Sequence, residues 1–207
     1  MTSSPSPTGA LTAFTAASAL LPPNILEPLR WAEIYGNGHP VALDLGAGDG
    51  GFAVAYAKAR PEWNVLAVER LLGRIRKTAR RAARQELANL RALRLESSYV
   101  LQHLCPPGSV DEIHLLFPDP WPKRRHQERR LLQVPFLALA ARALRPGGCF
   151  RFVTDYEEYF LHGLEVFAQA PGWERVAEEP FTYPPTDFEA GFRAEGKPIH
   201  GGVWRRL

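Results

Sequence analysis

The chain has 207 residues, 45% of them hydrophobic, with 25 Lys+Arg against 22 Asp+Glu and a formal charge of +3. This is the size and composition of one α/β domain, not of a disordered chain or a fibre, and no apolar run approaches the roughly 18 residues of a membrane span. Two cysteines, Cys105 and Cys149, argue against a disulfide framework and fit a reducing cytoplasm; without a Cys/His cluster at ligand spacing, no metal site is expected.

The first 23 residues, rich in Ser, Thr, Ala and Pro, read as a flexible tail, and 24–207 as a single domain. The tail has an apolar middle, but the first basic residue is Arg30, so the positive region of a secretory signal is missing and export is not expected. A short helix is predicted around Ile25–Tyr35. VALDL (41–45) reads as a buried strand, the Gly-rich loop 46–51 leads into a helix through Phe52–Ala59, and NVLAVE (64–69) is a second strand. Leu71–Ala88 is predicted as a long helix with apolar positions 71, 75, 79, 82 and 83. Arg74, Lys77, Arg81 and Arg84 line its opposite face, as a solvated surface or a phosphate-binding one. A third strand at 91–95, a short helix near 98–104 and a fourth strand at 110–117 follow. Arg129–Leu144 is predicted helical, Pro146-Gly147-Gly148 turns the chain into strand CFRFVT (149–154), and another helix runs through Ala168 before hairpin-like strands. Phe150, Phe152, Val153 and the apolar side of 131–144 are expected in the core, with Trp31, Trp63, Trp173 and Trp204 as packing residues. Such alternation predicts right-handed crossovers and a mostly parallel sheet with helices on both faces, a Rossmann-like α/β fold.

The small net charge hides a strong asymmetry. Arg70–Arg94 carries nine Lys/Arg against Glu86, Lys123–Arg130 carries five against Glu128, and Asp155–Glu189 carries nine acids against Arg175. A polyanion is steered toward one part of such a surface and away from another.

Glycines 46, 48 and 51 fit a dinucleotide fingerprint, while 46, 48 and 50 fit the loop of adenosylmethionine enzymes; in either, the backbone turns sharply and approaches a ligand closely. Glu69, 18 residues beyond Gly51, ends the second strand, where a carboxylate accepts ribose hydroxyls. A pyrophosphate wants a helix N-terminus free of acids, yet Asp49 lies in the loop and Asp44 just before it. The acids favour a ligand with a cationic end, so S-adenosyl-L-methionine is preferred over NAD.

Beyond the fourth strand stands Phe117-Pro118-Asp119-Pro120-Trp121-Pro122-Lys123-Arg124-Arg125-His126. The prolines hold the backbone extended and present Asp119 with little freedom. Trp121 can stack on a base or pack the loop down. Lys123, Arg124, Arg125, Arg129 and Arg130 form a phosphate-binding run, and His126 suits a phosphate or packing contact better than general-base work.

LDLGAGDG (43–50), AVER (67–70), FPDPWPKRRHQERR (117–130), VTDYEEYF (153–160) and PTDFEAGFRAEGKPIHGGVW (185–204) together carry a resemblance to the bacterial tRNA (guanine-N7-)-methyltransferases over roughly residues 40–206. The resemblance implies a class I methyltransferase fold with a seven-stranded sheet, S-adenosyl-L-methionine as cofactor, tRNA as partner, and N7-methylation of a variable-loop guanine. Carried onto matching positions, it implies Asp44, Gly46, Gly48, Glu69, Glu96 and Asp119 at the methyl donor, with Asp119 also catalytic. Lys123, Asp155, Thr186, Asp187, Phe188 and Glu189 are implied at the guanine-bearing substrate, and Arg125, His126, Arg129 and Arg130 at the RNA. One departure is visible: Glu96 stands where the family usually has Asp, and its longer side chain can still accept from the adenine amino group.

Guanine N7 is an acceptor in its neutral form, so no proton must leave before methylation and alignment is the main task. The rival readings are an adenosylmethionine enzyme acting on another RNA or a small molecule, an NAD oxidoreductase and a non-catalytic tRNA binder. A small-molecule enzyme does not need the basic run after Trp121, and an oxidoreductase needs a substrate domain that is not evident. The oligomeric state is left open between monomer and homodimer.

Overall fold

The computed structural model describes residues 18–177, 179 and 181–207. In chain order these form β1 (Ala19–Leu20), α1 (Trp31–Tyr35), β2 (Val41–Leu45), α2 (Gly51–Ala59), β3 (Asn64–Val68), α3 (Leu72–Arg84), β4 (Leu90–Leu93), α4 (Ser97–Tyr99), β5 (Val110–Leu116), α5 (Val134–Ala143), β6 (Leu144–Thr154), α6 (Glu157–Gln169), β7 (Trp173–Val176), α7 (Asp187–Ala194) and β8 (His200–Arg206). A π-turn, Val100–Leu104, continues α4, and a 3-10 segment, Arg124–Arg129, precedes α5. No helix among the described residues is long and apolar enough to cross a membrane.

One sheet of order β1-β4-β3-β2-β5-β6-β8-β7 runs through the molecule. The pairings from β1 to β6 are parallel, and β8 runs antiparallel between β6 and β7. The described strands number eight rather than seven, because Ala19–Leu20 pairs with Ala92–Leu93 at the sheet edge. That pairing draws the end of the expected 23-residue tail into the domain; residues 1–17 lie outside the described residues. The two C-terminal strands do pair, but α7 lies between them, so they are not a simple hairpin.

Period-two alternation in β2 explains how both faces are covered. Val41, Leu43 and Leu45 join the core beneath α5 and α6, with Phe136, Phe150, Phe152, Tyr159 and Trp204. Ala42 joins the opposite core with Phe52, Tyr56 and Val65, beneath α2 and α3. Each large apolar side chain buried in this way contributes about 1.5–3 kcal/mol. Phe167 and Trp204 lie face to face with centroids 3.9 Å apart, closing the first core beside β8. Helix α5 starts five residues later than expected, at Val134, with Pro135 in its first turn, where a missing N–H costs nothing.

Strand order departs from sequence order beside β2, which pairs with β3 on one side and β5 on the other. In an open parallel sheet, a crevice forms outside the carboxyl ends of the strands at such a switch point.

Candidate active site

Two adjoining cavities of about 340 and 390 Å3 occupy that crevice and share Gly46, Arg74, Leu116, Phe117 and Asp119. They are two halves of one cleft. Asp44, the glycine loop and Thr186-Asp187-Phe188 line the first half. Glu69, Leu71, Glu96, Trp121 and Arg129 line the second.

The loop after β2 is fastened before it reaches a ligand. Gly46 and Ala47 N–H both donate to Val68 O, at 2.9 Å each, and Gly48 N–H donates to Glu69 Oε2 at 3.2 Å. Gly46, Gly48 and Gly50 have φ of 80°, 55° and 79°, so glycine supplies left-handed backbone that other residues resist. At Gly50 a Cβ would also stand 2.4 Å from Thr78 Oγ1 on α3, so the close approach of the two helices requires glycine there.

Asp44 sits at the floor of the cleft, 2% exposed, and its Oδ2 has no hydrogen-bond partner. Burial, aided by the nearby charge of Glu69, pushes its carboxyl up to about 7. A buried acid without a donor is costly unless a ligand supplies a cation or a hydrogen bond. Glu69 is also buried, accepting from Gly48 N–H and, at 2.9 Å, from Leu71 N–H. Glu96 reaches the cleft wall, but both its oxygens cap the next turn, accepting from Ser98 and Tyr99 N–H at 2.9 and 2.8 Å. Its carboxylate is a cap as well as a cleft-lining group.

Asp119 is exposed and belongs to both halves of the cleft. Its loop bends at Phe117 and Trp121, with φ of 50° and 43° in bulky residues that each precede a proline. Such positions cost about 1–3 kcal/mol each and persist only where surrounding contacts hold them. Phe117 N–H donates to Val153 O at 2.7 Å, and Arg130 Nε donates to Pro120 O at 2.9 Å. Trp121 stands between the Arg129 guanidinium, 5.1 Å from its ring, and the edge of His126 at 5.8 Å.

Three of the expected contact residues already have partners within the fold. Arg130 is 2% exposed; its guanidinium is used by Pro120 O, by Glu158 at 3.1 Å and by the Tyr159 ring at 4.9 Å, so it supports the loop from inside. Glu189 is buried on α7, accepts from Arg193 Nη2 at 2.7 Å and lines neither cavity. Thr186 caps α7 by accepting from Glu189 N–H at 2.8 Å, which makes its hydroxyl structural although the residue borders the cleft. Phe188, 56% exposed, and Asp187 do face the first half. Lys123 and Arg125 are exposed on the neighbouring surface, and Asp155 is half-buried just past β6; none of the three lines either cavity.

Helix α7 is held over the glycine loop from two sides. Phe192 connects Phe117 and Phe188, with centroid separations of 5.7 and 6.2 Å. Upstream, Tyr183 is buried, with its ring 5.2 Å from His114 and its hydroxyl donating to Glu112 at 3.4 Å. Burial lowers the His114 pKa, against the opposing pull of Glu112, while Tyr56 and Arg60 donate to Glu112 at 2.8 and 3.1 Å.

The basic row of α3 belongs to this site, which composition alone did not reveal. Lys77 pairs with Asp49 at 2.9 Å, Arg81 with Asp187 at 3.1 Å, and Arg74 lies 3.8 Å from Glu69. The 74, 77, 81 spacing shows that these residues share one helix face; the structure shows that this face meets the glycine loop and the start of α7. Among the described residues, no group of three or more His, Cys, Asp or Glu is arranged to hold a metal ion.

The chain is similar to known proteins in sequence and in fold. The family described as "Putative methyltransferase" matches residues 38–201. A tRNA (guanine-N(7)-)-methyltransferase from Cronobacter sakazakii is 36% identical over 86% of this chain and 75% of its own length. Another, from Geobacter metallireducens, is 35% identical over 90% and 92%. In structure, the 16S rRNA methyltransferase KamB superposes with a TM-score of 0.63 at 18% identity, covering 85% of this chain and 92% of that one, which establishes the shared fold. With a family model matching most of its length and relatives of this closeness, the chain belongs to the tRNA (guanine-N(7)-)-methyltransferase family.

Proposed function

We propose that this chain methylates N7 of a guanine in the variable loop of tRNA, with S-adenosyl-L-methionine as methyl donor. The observation that carries the reading is one cleft holding two acids in opposite environments: Asp44, buried without a partner, and Asp119, exposed on a proline-bracketed bend. The unpartnered Asp44 oxygen fits a ligand with a cationic end. S-adenosyl-L-methionine supplies an electrophilic methyl group on a sulfonium centre beside a protonated amine.

Asp44 and the backbone of Gly46 and Gly48 hold the amino-acid end, and Glu69 receives the ribose hydroxyls. Leu71 and Glu96 border the adenine. Asp119 spans both halves of the cleft, so its carboxylate can face the reacting centre and the N1–H and amino donors of a guanine together. Guanine N7 needs no base, so the work of these residues is orientation and exclusion of water, which can supply roughly 7–11 kcal/mol of the barrier. Phe188 offers an apolar face to the base, with Asp187 beside it; Lys123 and Asp155 act at the rim.

Exposing a guanine from the tRNA body costs a few kcal/mol. Arg125, His126 and Arg129, next to the cleft mouth, offset that cost through phosphate contacts. The test is incubation of unmodified tRNA with methyl-labelled donor, then mapping of the label. Label at N7 of a variable-loop guanine is expected; label at any other position, or none, overturns the reading.

A further inference from the structure

The cleft carries a charge problem that the acids alone do not solve. The half that contains the glycine loop is lined by Asp44, Asp49, Asp119 and Asp187, and its one cation among the described residues is Arg74. A methionyl group brings two positive centres, which suit these acids, and one carboxylate, which they repel. A like-charge pair at contact distance is unfavourable in water and several times more so in a partly buried site. The carboxylate therefore needs a cation of its own.

Arg74 differs from its neighbours on α3 in being uncommitted to a close pair. Lys77 donates to Asp49 at 2.9 Å and Arg81 to Asp187 at 3.1 Å. The nearest acid oxygen to Arg74, Glu69 Oε2, is 3.8 Å away, and its side chain is 47% exposed. A long contact from an exposed guanidinium of that kind is weak. Arg74 also borders both halves of the cleft, between the loop and the ribose-side acid.

We infer that Arg74 is the anchor for the carboxylate of the methyl donor, giving the site its selectivity for an intact amino-acid end. The inference rests on the methyl-donor reading above. A guanidinium matches a carboxylate with two parallel N–H donors, so a charge-preserving lysine replaces it only in part.

Calorimetric titration of the tRNA-free protein with S-adenosylmethionine and with its decarboxylated analogue separates the possibilities. The wild type should prefer the intact donor by about tenfold or more. Arg74→Gln should lose that preference, binding S-adenosylmethionine about tenfold more weakly and the decarboxylated analogue as before; Arg74→Lys should fall between. Equal weakening of both ligands means that Arg74 acts through Glu69 and overturns the inference. Unchanged donor affinity with weakened tRNA binding overturns it in favour of a phosphate contact. Failure of the wild type to bind either ligand overturns the methyl-donor reading itself, a result distinct from the other two.

Discussion

Two loops close the cleft, and both bend through left-handed backbone by opposite means. After β2, Gly46, Gly48 and Gly50 adopt positive φ without a Cβ to object, and the loop is tied to β3 by backbone hydrogen bonds. After β5, Phe117 and Trp121 adopt the same region against their own side chains, held by Val153, Arg130 and ring contacts with Phe192 and His126. The first loop is stable by composition, the second only by its surroundings. A loop that must form a pocket can be built locally, whereas one that must aim a carboxylate draws on the rest of the fold. Substitutions should therefore damage the two loops differently.

The largest effect is expected where the second loop ends in chemistry. Asp119→Ala should lower methyl transfer about a thousandfold or more, since it removes the group shared by both halves of the cleft. Asp119 is exposed, so the melting temperature should hardly move. Near-normal turnover in a labelled-methyl assay breaks the assignment.

Arg130→Ala probes what holds that carboxylate. Losing its donors to Pro120 O and Glu158 should cost about 2 kcal/mol of stability. Turnover should fall at least about tenfold while donor affinity stays within about twofold, because the glycine loop does not depend on this contact. Parallel losses in turnover and donor binding would mean that the loops are one mechanical unit.

The contrast also explains what the sequence could reveal. The strands β2 to β5, the glycine loop, Glu69 and Asp119 were legible because neighbouring residues determine them: apolar runs, glycines at fixed offsets, prolines around an acid. Arg130 was not, since its burial depends on Tyr159 and Glu158, nearly thirty residues away, and nothing in a basic run marks one member as interior. Helix α7 was missed: its residues were read only for substrate contacts, within a stretch expected to form hairpin-like strands. Thr186-Asp187-Phe188-Glu189 has the spacing of a capping box, and Thr186 does cap the helix while Glu189 turns to Arg193. The pairing of α3 with Asp49 and Asp187 lay beyond sequence reasoning, because the i, i+3, i+7 row shows a shared face but not what it meets.

On the glycine side, Asp44 makes the loop sensitive to pH. Its folded carboxyl lies near 7 against an ordinary 3.8. Between about pH 4 and 7 the unfolded chain has lost this proton and the ligand-free native state retains it, so this group lowers stability as pH rises through that window. A cationic ligand reverses the preference, and binding at about pH 6, below the raised pKa, should release close to one proton from Asp44. Calorimetry in two buffers of different ionisation enthalpy measures that release. Asp44→Asn should abolish it and flatten the stability slope; an unchanged slope would mean that Asp44 is already ionised in the free protein.

The smallest effects are expected at the outer edge of the second loop. Arg125 and Arg129 are exposed, and only Arg129 touches the cleft, through Trp121 and the second cavity. Each alanine variant should weaken tRNA binding a few-fold and reduce the slope of log affinity against log salt by about one, as loss of one phosphate contact requires. Turnover at saturating tRNA should remain for Arg125→Ala and fall modestly for Arg129→Ala, since that guanidinium also steadies Trp121 on the strained bend. If both variants bind tRNA with the wild-type salt slope, the basic run holds the loop and not the RNA, and phosphate recognition shifts to the exposed arginines of α3.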